Sequence, residues 1–250
     1  MQQSNETIHV VEHGSGERVF VGLHGWNGTH RTFDPLVDRL PDDVTFLSVD
    51  LPGYGRSARP EEWTLASVGR AIVGAVDRRG VDRFSVVGSC SGALVGLYVG
   101  RAAGRRINRL IMLEPFAFIP WYLGLFLWPL VGRLFYWSAF GNPAGRAITN
   151  WALADNRDDE TDLMASFADN ALEVPLRYLQ LFDTIESPHV FGDVPGHKEI
   201  VSAEHTFGAV RRSVDLWLEV WPEATRRQID GAGHLLIDEA TDTLRRLVFA

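Results

Sequence analysis

Residues 83–92 read Arg83-Phe84-Ser85-Val86-Val87-Gly88-Ser89-Cys90-Ser91-Gly92. The aromatic and β-branched run 83–87 suits a buried parallel strand. From 92 to 104 the apolar residues Ala93, Leu94, Leu97 and Tyr98 recur at helical spacing. A strand that turns straight into a helix at a glycine-flanked residue holds that residue in a strained conformation and lifts its side chain above the sheet. Gly88 and Gly92 are needed there because a Cβ would collide with the neighbouring strand or helix. The raised position holds Cys90, the one cysteine of the chain. The helix start behind it favours an anion, a thiolate included. A lone cysteine in apolar surroundings is usually a small buried hydrophobe. The turn around Cys90 argues instead for a presented nucleophile.

Outward from this turn, apolar strand-like runs alternate with amphipathic helical ones, the pattern of an α/β protein with a mostly parallel sheet flanked by helices. Residues 7–11 and 18–23, joined by His13-Gly14-Ser15-Gly16-Glu17, are predicted to form an opening hairpin. Helices are predicted at 32–40, 65–79, 207–221 and 236–248, and strands at 44–49, 109–113, 198–203 and 226–229. Segment 115–187 falls between two of these strands and reads as an inserted helical cap. The core is then 1–114 with 188–250.

The 250 residues, 46% hydrophobic and 22% charged, match one globular enzyme-sized domain. A net charge of −8 argues against nucleic acid as a partner. One cysteine closes no internal disulfide, and the opening Met1-Gln2-Gln3-Ser4-Asn5-Glu6 lacks the basic flank and apolar run of a signal peptide. The expected location is cytoplasmic.

Three more strand-end loops carry matching chemistry: His24-Gly25-Trp26, Asp50-Leu51-Pro52-Gly53-Tyr54-Gly55-Arg56-Ser57 and Gly231-Ala232-Gly233-His234. Together with 88–92 they resemble the α/β-hydrolase superfamily over nearly the whole chain outside the cap. The resemblance implies the α/β-hydrolase fold, His234 as general base and an oxyanion hole from the backbone N–H groups of Trp26 and Ser91. It also implies structural roles for the His24 side chain and for Asp50, which would hold the 52–57 loop. Ser89 is expected to line the pocket.

The usual acid of this superfamily follows the strand before the last, where this chain has Ser202-Ala203-Glu204-His205-Thr206. Thr206 cannot carry the charge. Haloalkane dehalogenases are similar to this chain in placing a glutamate after the strand that follows the nucleophile helix, and Glu114, ending Leu110-Ile111-Met112-Leu113, matches that place. The expected set is Cys90, His234 and Glu114, with Glu204 as the alternative acid. Dehalogenation itself needs a carboxylate nucleophile. A cysteine there resembles polyhydroxyalkanoate synthases and dienelactone hydrolases.

A thiolate attacks acyl carbonyls and holds the product as a thioester. The reading is therefore a cofactor-independent hydrolase of an acyl ester or thioester, free or linked to a carrier or CoA. An acyltransferase or cyclase, and a non-catalytic binding protein on the same fold, remain as alternatives. No metal site is read: His189, His197 and His205 are scattered, and the acidic turn 155–162 lacks ligand spacing. The stretch 116–140 has one charge, Arg133. Phe116, Trp121 and Trp128 are expected to contact an apolar acyl group. The same stretch also suits peripheral contact with a bilayer interface, a homodimer contact or ordinary cap packing, whereas Pro120 and Pro129 argue against a span.

Overall fold

The computed structural model describes residues 8–153 and 172–250. Seven strands form one sheet: β1 (Val10–Gly14), β2 (Arg18–Leu23), β3 (Val44–Val49), β4 (Phe84–Ser89), β5 (Ile107–Leu113), β6 (His197–His205) and β7 (Thr225–Gly233). Their order is β1-β3-β2-β4-β5-β6-β7. All neighbours run parallel except β1, which pairs antiparallel with β3 from Val10↔Val49 to Gly14↔Thr45. The opening hairpin is thus corrected. β1 and β2 are joined by a turn but do not pair, because β3 lies between them. Gly16 makes this wrap possible: its N–H donates to the Val44 carbonyl at 3.3 Å, and a Cβ there would fall 1.8 Å from the Asp43 carbonyl carbon.

Alternation along the strands divides the core between the two faces. Val21, Leu23, Leu47, Val86, Leu110 and Met112 pack with α2 (Leu65–Asp77), α3 (Ser91–Ala103) and α8 (Gly208–Val220). Phe20, Phe46, Val87, Ile111 and Val201 pack on the other face with α1 (Asp34–Val37), α9 (Leu236–Glu239) and α10 (Thr241–Val248). The helix expected at 32–40 is a 3-10 turn, His30–Phe33, running directly into the one-turn α1 at Asp34. The helix expected at 236–248 breaks at Ala240, whose φ of −136° is not helical.

Between β5 and β6 lies a helical insertion: α4 (Trp121–Gly124), α5 (Gly132–Phe140), α6 (Pro143–Ala152) and α7 (Glu173–Phe182). The acidic turn 155–162 lies outside the described residues. Val174, Tyr178, Leu181 and Phe182 of α7 join the main core. The Tyr178 hydroxyl donates to the Pro52 carbonyl at 3.1 Å, and Trp26 Nε1–H donates to the Pro175 carbonyl at 2.9 Å. These two bonds tie the insertion to loops at the strand ends.

Candidate active site

Every parallel strand ends on the same edge, where the chain must turn away and ligands of open α/β sheets gather. β4 delivers Cys90 there with φ 52° and ψ −118°, a conformation that side-chain-bearing residues rarely adopt. Its N–H donates to the Leu113 carbonyl at 2.7 Å, which fixes the turn against β5. The flanking glycines are required by contact: a Cβ at Gly88 would lie 2.5 Å from the Ala93 Cα, and one at Gly92 would lie 2.2 Å from the Leu23 carbonyl oxygen. Ser89, Cys90 and Ser91 are half-buried.

β5 ends one residue before Glu114, which also takes a positive φ, 53°. Its side chain is buried, yet the carboxylate is fully engaged. Oε1 accepts from the Ala203 N–H at 2.6 Å. Oε2 accepts from the Thr206 hydroxyl and lies 2.7 Å from His234 Nδ1. Such partners are what a buried charge requires. Thr206, at the position where the superfamily resemblance expects a carboxylate, donates to the carboxylate that comes from β5 instead. Glu204 turns outward and accepts from the Gly231 N–H at 2.8 Å. The alternative acid is therefore not at His234.

His234 follows β7, and Gly233 N–H is held by the Glu239 carboxylate of α9, a positioning contact that no sequence motif announced. The imidazole lies between Phe116 and Phe207, with ring centroids 6.0 and 4.7 Å away. Burial alone would lower its pKa. Its interactions with Cys90 and with the Glu114 carboxylate outweigh that and push it up to about 10. With Nδ1 on Glu114, the other nitrogen is left for Cys90. The site thus brings together the Cys90 sulfur, the His234 imidazole and the Glu114 carboxylate, with the last two hydrogen-bonded, an arrangement able to move a proton from sulfur to a leaving group.

The loop after β2 closes against this line. A Cβ at Gly25 would lie 3.1 Å from the Cys90 Cβ. Ser91 is the first residue of α3, in the turn whose N–H groups have no partner within a helix. His24 is fully buried: its Nε2 accepts from the Leu51 N–H at 3.1 Å and its Nδ1–H donates to the Gly25 carbonyl at 2.9 Å. Burial lowers its pKa to about 4, so it is neutral. The Trp26 indole, beyond its bond to Pro175, packs on Phe140 at 5.4 Å. Tyr122 of α4 lies within electrostatic range of Cys90, a neighbour the sequence did not single out. Trp121 and Trp128, expected to line the site, stand on the outer surface at 78% and 56% exposure, which corrects that reading.

One group of ligand-type side chains occurs among the described residues, His9, His30 and Asp50. Asp50 accepts from the N–H groups of His30 and Arg56 and lies 2.9 Å from Nδ1 of each histidine. Its carbonyl accepts from the Ser57 hydroxyl. These bonds hold the 52–57 loop and already occupy the carboxylate.

A mostly parallel sheet with a strand–elbow–helix turn and a carboxylate-paired histidine beyond its last strand defines a hydrolase-type α/β protein. Residues 19–247 match the model of the alpha/beta hydrolase family, and the chain belongs to that family. An AB hydrolase superfamily protein of Bacillus subtilis is 31% identical over 118 residues, 45% of this chain and 42% of the relative. A haloalkane dehalogenase of Agrobacterium fabrum is 33% identical over 109 residues, 43% and 36% of the two chains. A pimeloyl-[acyl-carrier protein] methyl ester esterase of Neisseria meningitidis is 27% identical over 95 residues, 38% and 29% of the two. The matches therefore span less than half of these relatives. Among solved structures, an esterase from Exiguobacterium antarcticum superposes with a TM-score of 0.79 at 14% identity, covering 96% of this chain and 93% of that one. That likeness is one of fold.

Proposed function

We propose that the chain is a cofactor-independent hydrolase of an acyl ester or thioester with an apolar acyl group, working through Cys90, His234 and Glu114. The observation that carries this is the buried Glu114–His234 contact at 2.7 Å, with the same imidazole under the electrostatic influence of Cys90 at a strained elbow. In the first half-reaction His234 holds the proton given up by Cys90, and the sulfur bonds to the carbonyl carbon. The oxyanion that forms accepts from the N–H groups of Ser91 and Trp26. Collapse expels the alcohol or thiol, which leaves with the proton held on His234, and a thioester to Cys90 remains. In the second, His234 takes a proton from water as its oxygen attacks the thioester. The carbon–sulfur bond breaks, the acid departs and the sulfur recovers its proton. Glu114 holds the imidazole in the right tautomer and stabilises its charged form. Thr206 and the Ala203 N–H keep that carboxylate fixed.

Membership of the family and the esterase name borne by one relative support ester chemistry. Phe116 beside His234, Tyr122 near Cys90 and the aromatic insertion support an apolar acyl group, whether free or carried on CoA or a carrier protein. The reading is tested by following acid release from short- and long-chain acyl thioesters and p-nitrophenyl esters. It expects turnover that rises with acyl length and stops in Cys90→Ala. Transfer of the acyl group to added amines or thiols with no free acid released would replace hydrolysis by acyl transfer, and absence of turnover on every acyl donor would remove the enzymatic reading.

A further inference from the structure

Nine of the ten large apolar side chains that stand exposed among the described residues fall within 121–151, Val190 being the tenth. Leu130, at the tip of the turn before α5, is fully exposed, and Trp121, Leu134 and Trp151 are more than three-fifths exposed. Apolar surface gathered in this way marks a contact face. Leu130 also has a φ of 69°, which favours glycine or asparagine. Among the described residues, the other non-glycine positions with positive φ are Asn27, Cys90 and Glu114, in the loops of the candidate site. Leu130 thus combines an uncommon backbone conformation with a fully exposed apolar side chain.

The charge of this face says what that is. In a chain of net charge −8, residues 116–153 contain Arg133 and Arg146 and no acidic residue. Arg133 and Trp137 also form one wall of a groove of about 360 Å³, shared with Arg59, Trp63 and Arg177. Its one acid, Glu173, lies 3.6 Å from Arg59, so the groove keeps a positive excess. Tryptophans with flanking arginines suit the boundary between lipid headgroups and acyl chains. Segments 121–127 and 132–140 meet at 115°, and no single helix among the described residues is long and apolar enough to cross a membrane. Taken together the two segments are long and apolar enough for a span, but the sharp bend between them and the arginine on α5 favour a pair that lies along the interface.

We infer that the face built from 121–151 docks on an anionic phospholipid surface, with Leu130 and the tryptophans entering the acyl boundary and the groove around Arg133 taking a phosphodiester headgroup. α4 then joins the bilayer to the reaction centre, since Trp121 faces outward while the adjacent Tyr122 lies near Cys90. The docking needs no catalysis, so its test is independent of the proposed hydrolysis.

The test is co-sedimentation of the full chain with vesicles of phosphatidylcholine, with and without phosphatidylglycerol, read beside its sedimentation velocity in free solution. The expected result is binding to the anionic vesicles that falls roughly tenfold or more in Leu130→Asn and about fivefold in Arg133→Gln. Leu130→Asn should keep the parent's thermal melt and its hydrolysis of a soluble short ester. No binding, or binding that both variants leave unchanged, would overturn the inference. Full displacement by millimolar inorganic phosphate would reassign the groove to free phosphate. A dimer that Leu130→Asn dissociates, without vesicle binding, would assign the face to a second copy of the chain.

Discussion

Replacing Glu114 by Gln keeps the shape of the site and removes one charge. The amide oxygen can still accept from the Ala203 N–H, as Oε1 does at 2.6 Å. Its nitrogen then takes the place of Oε2, which now lies 2.7 Å from His234 Nδ1 and accepts from Thr206. An amide NH2 donates, so Nδ1 must become an acceptor and the proton must sit on the nitrogen facing Cys90. The imidazole can then no longer take the thiol proton. Loss of a charge-assisted hydrogen bond costs about 1.5–3 kcal/mol, roughly one to two powers of ten in rate. The inverted tautomer adds to this, and together they give a fall of about 10³–10⁴, the size seen when a serine-protease aspartate is changed to asparagine. The assay is kcat/KM for a p-nitrophenyl acyl ester at neutral pH, with circular dichroism to verify the fold. A loss smaller than about tenfold in a folded variant would refute the assignment of Glu114 as the acid.

Thr206→Val removes the hydroxyl donor while keeping volume, and it should cost about 1.5–3 kcal/mol of stability in denaturant titration together with a smaller loss of rate than Glu114→Gln. The double variant Glu114→Gln with Thr206→Asp returns a carboxylate to within reach of His234, so it should recover at least about tenfold of the activity lost in Glu114→Gln; no recovery would mean that position 206 cannot serve as the acid here. His234 has its pKa raised from 6.5 to about 10 in the folded state. Its contribution to stability is therefore complete below about pH 6.5 and is lost as pH rises through about 10, and a melting series over that window should show a decline that Glu114→Gln flattens. Trp26→Phe deletes the 2.9 Å bond to the Pro175 carbonyl and should lower the melting temperature by a few degrees, as expected for a net loss of about 1 kcal/mol.

Local geometry was legible because steric need writes it into residue types. Gly88 and Gly92 bracket Cys90 since no other residue fits there, and Glu114 could be recognised as a charge ending an apolar strand. The strand order was not legible, because periodicity says which face of a strand is buried and nothing about its neighbour. β1 accordingly pairs with β3 rather than with β2. The role of Thr206 was hidden for a related reason: a hydroxyl donor to a carboxylate 92 positions away leaves no local pattern. Trp121 and Trp128 show a third limit, since apolar residues have the same composition whether they line a pocket or face outward.

The central claim is that Cys90 forms the covalent intermediate, and the most direct measurement is the intact mass of the protein after brief exposure to a long-chain acyl thioester, taken in parallel for Cys90→Ala. The account expects one added acyl mass, absent from Cys90→Ala and removed by hydroxylamine. Turnover of the same substrate by Cys90→Ala at the parent's rate, with no adduct on the parent, would contradict it.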